Sequence, residues 1–309
     1  MPEPGLPDQP HVVVGHDEGE DIMPSLEIGG GNVVYDLLGE PGGEPIALTP
    51  GGRTGKDVPG LRPLAEALAA DGMRVLTWDR PNCGESDVQF WGESESHMRA
   101  DVLAELLQAV EPGPWTIAGG SGGARDSMLT VIRHPELASK LVLWNIVGGV
   151  FSTISLAGVY VLPNVRAVHS GGMEAVVALP EWQELIKANP KNRDRLLAFD
   201  PDDFMSIMMR WFDAYVPKPG YTIPGVADDL FRNISVPTMI IRGGQNDIDH
   251  PRRTSVEVNC LIAGSELVEP PWAEDAWETS IAAMFNGTGH MFDPWPLAAP
   301  LIRDFVRRD

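Results

Sequence analysis

The sequence predicts an α/β protein, a mostly parallel sheet flanked by helices with an inserted, mainly helical cap. Three observations predict it: strand-like apolar runs alternate with segments of helical period up to about residue 144, the alternation lapses between about residues 151 and 233, and it resumes from residue 236. Parallel strands joined through helices need right-handed crossovers and are covered on both faces, which is why they read as short continuous apolar runs.

Residues 32–38 (NVVYDLL) and 45–49 (PIALT) read as strands, and the pair Gly51-Gly52 closes the second with a turn. Residues 58–70 place Leu61, Leu64, Leu68 and Ala69 at helical period. Residues 73–78 (MRVLTW) form the next strand and 101–110 (DVLAELLQAV) an amphipathic helix. Residues 115–118 (WTIA) run as a strand into Gly119-Gly120-Ser121-Gly122-Gly123, residues 124–133 continue as a helix, and 140–144 (KLVLW) return as a strand. Segments 173–178, 181–188 and 203–215 are helix-like, 236–243 and 266–268 are strand-like, and 296–307 close the chain as a helix. The expected division is a loosely held acidic arm at 1–23, a core of 24–150 with 234–309, and a cap at 151–233.

The 309 residues carry a formal charge of −21, so nucleic acid and anionic membrane are poor expected partners. No basic region followed by an apolar stretch opens the chain, and the apolar run 141–151 is about half of the roughly 20 residues that span a bilayer. Cys83 and Cys260 are too few for a disulfide framework. The expectation is a soluble cytoplasmic protein acting on a small molecule.

Chemistry enters at Ser121. A serine flanked by glycines two residues before and after, between a strand and a helix, is the context of a nucleophile elbow, where small residues let strand and helix approach closely. The helix that follows aims its first amides at the site, where a developing oxyanion would be stabilised. A dinucleotide fingerprint starting at Gly120 fails, because its last glycine position is Arg125.

From residue 25 onward the chain resembles the α/β-hydrolase superfamily. The segments TPGGRTG (49–55), WDRPNCGESD (78–87), GGSGG (119–123) and NGTGHMFDPWP (286–296) carry the resemblance, which is nearest to cap-bearing serine hydrolases: esterases, meta-cleavage-product hydrolases and cofactor-free haloperoxidases. It implies an eight-stranded sheet and the chain order nucleophile, acid, base. A serine needs a base oriented by a carboxylate. The resemblance places the base at His290, in the loop before the last helix. The acid is expected at Asp247, with Asp249 the rival, because both stand in the loop after a strand; Asn145 occupies the other position used by relatives and carries no charge. His250, before Pro251, reads as a helix-start residue, and Asp247, Asp249 and His250 lack the third separated ligand group of a metal site. The oxyanion hole falls to the amides of Gly52 and Gly122.

No cofactor is implied. Met208 and Trp211 are expected to line an apolar or aromatic substrate pocket, with Arg53 or Arg125 available to hold a substrate carboxylate. Trp272, Trp277 and Trp295 are further candidates for the lining. These residues suit hydrolysis of a carboxylic ester, thioester, amide or lactone. The alternatives are hydrolysis of a C–C bond by the same triad, and a ligand-binding protein that retains the fold without catalysis.

Overall fold

The computed structural model describes residues 24–308. The arm expected at 1–23 lies outside the described residues. In chain order the elements are β1 (Ser25–Ile28), β2 (Gly31–Leu38), β3 (Glu44–Thr49), α1 (Leu61–Ala70), β4 (Met73–Trp78), α2 (Glu95–Val110), β5 (Trp115–Gly120), α3 (Gly122–Arg133) and β6 (Ala138–Trp144). Then follow α4 (Gly149–Tyr160), α5 (Leu162–Val177), α6 (Pro180–Ala188), α7 (Lys191–Leu197), α8 (Pro201–Phe212), β7 (Thr238–Ile241), α9 (Arg252–Leu261), β8 (Glu266–Val268), α10 (Ala276–Phe285) and α11 (Ala299–Val306).

The eight strands form one sheet in the order β1-β2-β4-β3-β5-β6-β7-β8. β1 pairs antiparallel with β2, and β2 with β4; every other pairing is parallel. In register, Thr49 stands beside Gly119 and Gly120 beside Trp144, so the chain leaves β3, β5 and β6 along one edge of the sheet. Loops at the carboxyl ends of parallel strands are where this architecture builds its sites.

Each face of the sheet has its own core. On one face, α1 and α11 bury Leu61, Leu64, Leu68, Ile302 and Phe305 with Ile46, Val75 and Trp144. On the other, α2 and α3 bury Leu103, Leu107, Met128 and Val131 with Ala47, Leu76 and Ile117, and the same core continues through Trp182, Phe204, Met208 and Trp211 of the helices inserted between β6 and β7.

The helices that the residues conceal have a physical reason. α4 buries Ser152, Thr153 and Ala157 while Val150, Phe151, Ile154 and Val159 are exposed, the reverse of an amphipathic pattern. By length and composition the stretch Gly149–Ala188 is apolar enough to cross a membrane, but the chain breaks within it at Gly171 and Gly172, whose backbones are not helical. α2 begins at Glu95, six residues before its amphipathic signal, because the Ser94 side chain caps it by accepting from the His97 N–H.

Candidate active site

The elbow follows from glycine sterics. Ser121 has φ +55° and ψ −124°, a region that non-glycine residues avoid. A Cβ on Gly119 would stand 2.4 Å from the Gly123 carbonyl oxygen, and one on Gly123 would stand 2.2 Å from the Thr49 carbonyl oxygen. Both positions must therefore be glycine for β5, α3 and the end of β3 to meet. The Ser121 N–H donates to the Trp144 carbonyl (3.2 Å), fixing the turn to β6.

Ser121 joins a continuous hydrogen-bonded chain with His250 and Asp247. His250 Nε2 lies 2.9 Å from Ser121 Oγ, and His250 Nδ1 lies 3.0 Å from Asp247 Oδ2. With Nδ1–H donating to the carboxylate, Nε2 is left to accept the serine proton. The other carboxylate oxygen, Oδ1, accepts the backbone N–H groups of Asp249 (3.0 Å) and His250 (2.8 Å). All three side chains are buried.

The loop between β7 and α9 is held from α4, from α9 itself and from the segment that opens α10. Ser152 Oγ donates to the carbonyls of Ile248 and Asp249, Ser255 Oγ accepts from the Gly243 N–H, and Glu274 accepts from the Gln245 N–H. Trp277 of α10 meets the His250 ring edge-on, with centroids 4.3 Å apart, and its Nε1 donates to Asp249 Oδ2 at 3.0 Å.

The expectation for the base is corrected: the imidazole at Ser121 belongs to His250, and His290 is exposed. Around His290 the chain turns through a bond from the His290 N–H to Asp293 Oδ2, and Phe292 and Trp295 take the buried positions, stacked 4.0 Å apart. The Phe292 ring lies against Gly51, where a Cβ would come within 2.7 Å of it. An aromatic pair thus fills the space under the turn after β3 and leaves the imidazole outside. The available signal for His250 was its spacing three residues after an acid in the loop that leaves β7. Asp249 is spent on Trp277, and among the described residues no group of three His, Cys, Asp or Glu is arranged to hold a metal ion.

The turn Gly51-Gly52 rests on the elbow: a Cβ on Gly51 would meet the Ser121 Cβ at 2.9 Å, and the Gly52 nitrogen lies 3.4 Å from the Cβ position of Gly122. The two amides expected to form the oxyanion hole are neighbours.

The remaining candidates divide. Arg125 is corrected from ligand binder to structural cation, since its guanidinium is buried, donating to Ser96 Oγ (2.8 Å) and Tyr215 Oη (3.0 Å). Met208 and Trp211 are likewise corrected. Both are buried in the core that joins α8 to the sheet domain, Trp211 stacked on Phe90 at 5.6 Å, because a cap this apolar must bury its own face first. Trp295 donates to Asn145 Oδ1.

Arg53 faces a cavity of about 270 Å³ shared with Asn82, Trp182 and Leu185. One nitrogen, Nη2, bonds Glu95 and the Tyr160 carbonyl, while Nε and Nη1 are buried without a partner. Burial by itself would raise the Glu95 carboxyl, but Arg53, Arg99 and a bond from Asn82 hold it down to about 2.

The alpha/beta hydrolase family model matches residues 46–301, and the chain belongs to this family of hydrolases. A segment of 78 residues is 35% identical to a 2-hydroxy-6-oxononadienedioate/2-hydroxy-6-oxononatrienedioate hydrolase of Burkholderia vietnamiensis, covering 25% of this chain and 27% of that protein. The fold is similar to that of the enol-lactonase from Burkholderia xenovorans LB400, with TM-score 0.57 and 18% identity over 92% of this chain and all of that one. It is also similar to the esterase RhEst1 from a Rhodococcus species, with TM-score 0.56 and 19% identity over 91% of this chain and 97% of that one.

Proposed function

We propose that this hydrolase cleaves a small to medium carboxylic ester or lactone through an acyl-enzyme on Ser121. The observation that carries the reading is the buried chain from Ser121 through His250 to Asp247, with distances of 2.9 and 3.0 Å.

Ser121 Oγ attacks the acyl carbon as His250 Nε2 takes its proton. Asp247 holds the imidazole in the tautomer with Nδ1–H toward the carboxylate and stabilises the imidazolium that forms. The carbonyl oxygen becomes an oxyanion between the amides of Gly52 and Gly122. The imidazolium returns the proton to the leaving alkoxide, and water, deprotonated by the same nitrogen, releases the acid and restores the serine.

Hydrolysis of a C–C bond in a carboxylate-bearing substrate is the second reading. It is supported by the partial match to a hydrolase of that substrate class and by Arg53 as a cation in the lining of a cavity.

A fluorophosphonate probe should label Ser121 and abolish turnover of p-nitrophenyl butyrate. A protein that is neither labelled nor active with any ester or ring-fission dienoate is a binding protein, and the hydrolase reading is then wrong. Turnover of the dienoate with an inert ester would select the second reading.

A further inference from the structure

We infer that Arg80 is a positioning residue for the oxyanion hole, latching the Gly51-Gly52 turn in the orientation that aims the Gly52 N–H at the reacting oxygen. The inference rests on the serine-hydrolase reading above and adds a residue from a segment that supplies no member of the triad.

Arg80 stands just after β4, and its side chain is completely buried. Nη2 donates to the carbonyls of both Gly51 (3.0 Å) and Gly52 (2.6 Å). Nη1 donates to Asp126 Oδ2 at 3.0 Å, and Asp126 is buried on α3, the helix that begins at Gly122. One guanidinium therefore ties the turn after β3 to the helix after the nucleophile, using the planar fork that makes arginine suited to several acceptors at once.

The direction of these bonds matters. In a trans peptide the carbonyl of one residue and the N–H of the next point in opposite directions. Holding the Gly51 carbonyl toward Arg80 therefore turns the Gly52 N–H away from Arg80. Without side chains, a Gly-Gly peptide has more freedom to rotate than any other, and Gly52 is left-handed at φ +53°. A half-rotation would replace a donor in the hole by a carbonyl oxygen, which repels an oxyanion. Thr54 also holds the Gly51 carbonyl, through its N–H and its hydroxyl, but the Gly52 carbonyl is held by Arg80. The Arg80 Nη1 also lies 3.7 Å from the Cβ position of Gly122, so its charge stands beside the first residue of α3 as well as beside the turn.

The test compares Arg80→Met, Arg80→Lys and Thr54→Val with the unmodified enzyme, using p-nitrophenyl butyrate and an alkylboronic acid that forms a tetrahedral anionic adduct on the serine. Loss of an oxyanion donor costs about 10²–10³-fold in rate. Arg80→Met should lower kcat by about 10²-fold with KM little changed, and boronate affinity should fall in parallel. Arg80→Lys should recover part of both, and Thr54→Val should lose less than either. A folded Arg80→Met enzyme whose kcat and boronate affinity stay near those of the unmodified protein overturns the inference, as does a loss confined to KM.

Removing one member of a buried pair is costly, so the double variant Arg80→Met with Asp126→Leu serves if the single variant does not fold. Its full activity would overturn the latch, and its selective loss of kcat would support it. An unmodified enzyme that neither binds the boronate nor turns over an ester would instead remove the underlying reading.

Discussion

The turn at the end of β5 and the loop at the end of β7 both leave the sheet at its carboxyl edge, yet only the first announces itself in the residues. At the elbow, the carbonyls of Gly123 and Thr49 stand where a side chain would otherwise go, so glycine is required at two fixed distances from Ser121. At the second loop, Asp247 and His250 are ordinary polar residues before a proline. What brings His250 to Ser121 is the grip of Ser152 from α4, Ser255 from α9, and Glu274 and Trp277 from the segment that opens α10. Local steric necessity leaves a signature in sequence; long-range hydrogen bonding selects among several equally plausible residues and leaves none.

The largest expected effect tests that selection directly. His250→Ala should lower kcat by about 10⁴-fold or more, whereas His290→Ala should leave steady-state turnover within about twofold. The opposite outcome would break the comparison and return the base to the loop before α11. Asp247→Asn should cost roughly 10²–10⁴-fold in kcat, because the imidazole would lose the carboxylate that fixes its tautomer. Asp249→Asn keeps an acceptor for Trp277 and should change kcat by less than about threefold, so an equal loss at both positions would deny Asp247 its distinct place.

A smaller effect, in stability, sharpens the steric half. Gly123→Ala should destabilise the fold by roughly 3 kcal/mol or more in urea unfolding, since its Cβ would stand 2.2 Å from a backbone carbonyl. Gly158→Ala is its control: nothing lies within 4 Å of the new methyl group, in the helix α4, and the change should stabilise by about 0.5–1 kcal/mol.

The smallest effect concerns acid. Glu95 is held at about 2, below its ordinary value of 4.5, so its ionised form stabilises the fold at neutral pH. That contribution is complete above 4.5 and is lost as the pH falls toward 2, where folded and unfolded chains both protonate the group. Urea midpoints of the unmodified protein should fall through this window more steeply than those of Glu95→Gln. Parallel curves would show that Arg53 and Arg99 contribute nothing through this carboxylate.

Much of the sheet was legible because a strand covered on both faces must be apolar along its length: the runs at 45–49, 73–78, 115–118 and 140–144 each coincide with a strand or fall short of it by at most two residues at one end. β1 went unread because SLEI is too short to show a period, and α4 because its exposed side chains are the large apolar ones. α10 went unread for a related reason, with only Ser280 fully buried along its length. The pocket candidates met the same limit. Met208 and Trp211 look like adaptable walls in a sequence, but an apolar cap helix meets its own core before it meets a ligand. Arg53 and Arg125 look alike in sequence and differ only in their neighbours: the donors of Arg125 meet Ser96 and Tyr215, whereas Arg53 keeps two nitrogens unpartnered.

By itself the sequence determined the alternation of strands and helices, the elbow and its serine, and an acid in the loop after β7. Each is a local requirement of backbone geometry or of burial, written in the residues that satisfy it. The tertiary structure decided which histidine meets the serine, which arginine lines a cavity, and that Arg80 holds the glycine turn. Those choices depend on residues as far apart as Ser121 and His250, brought within hydrogen-bond reach by a sheet whose register no single segment contains.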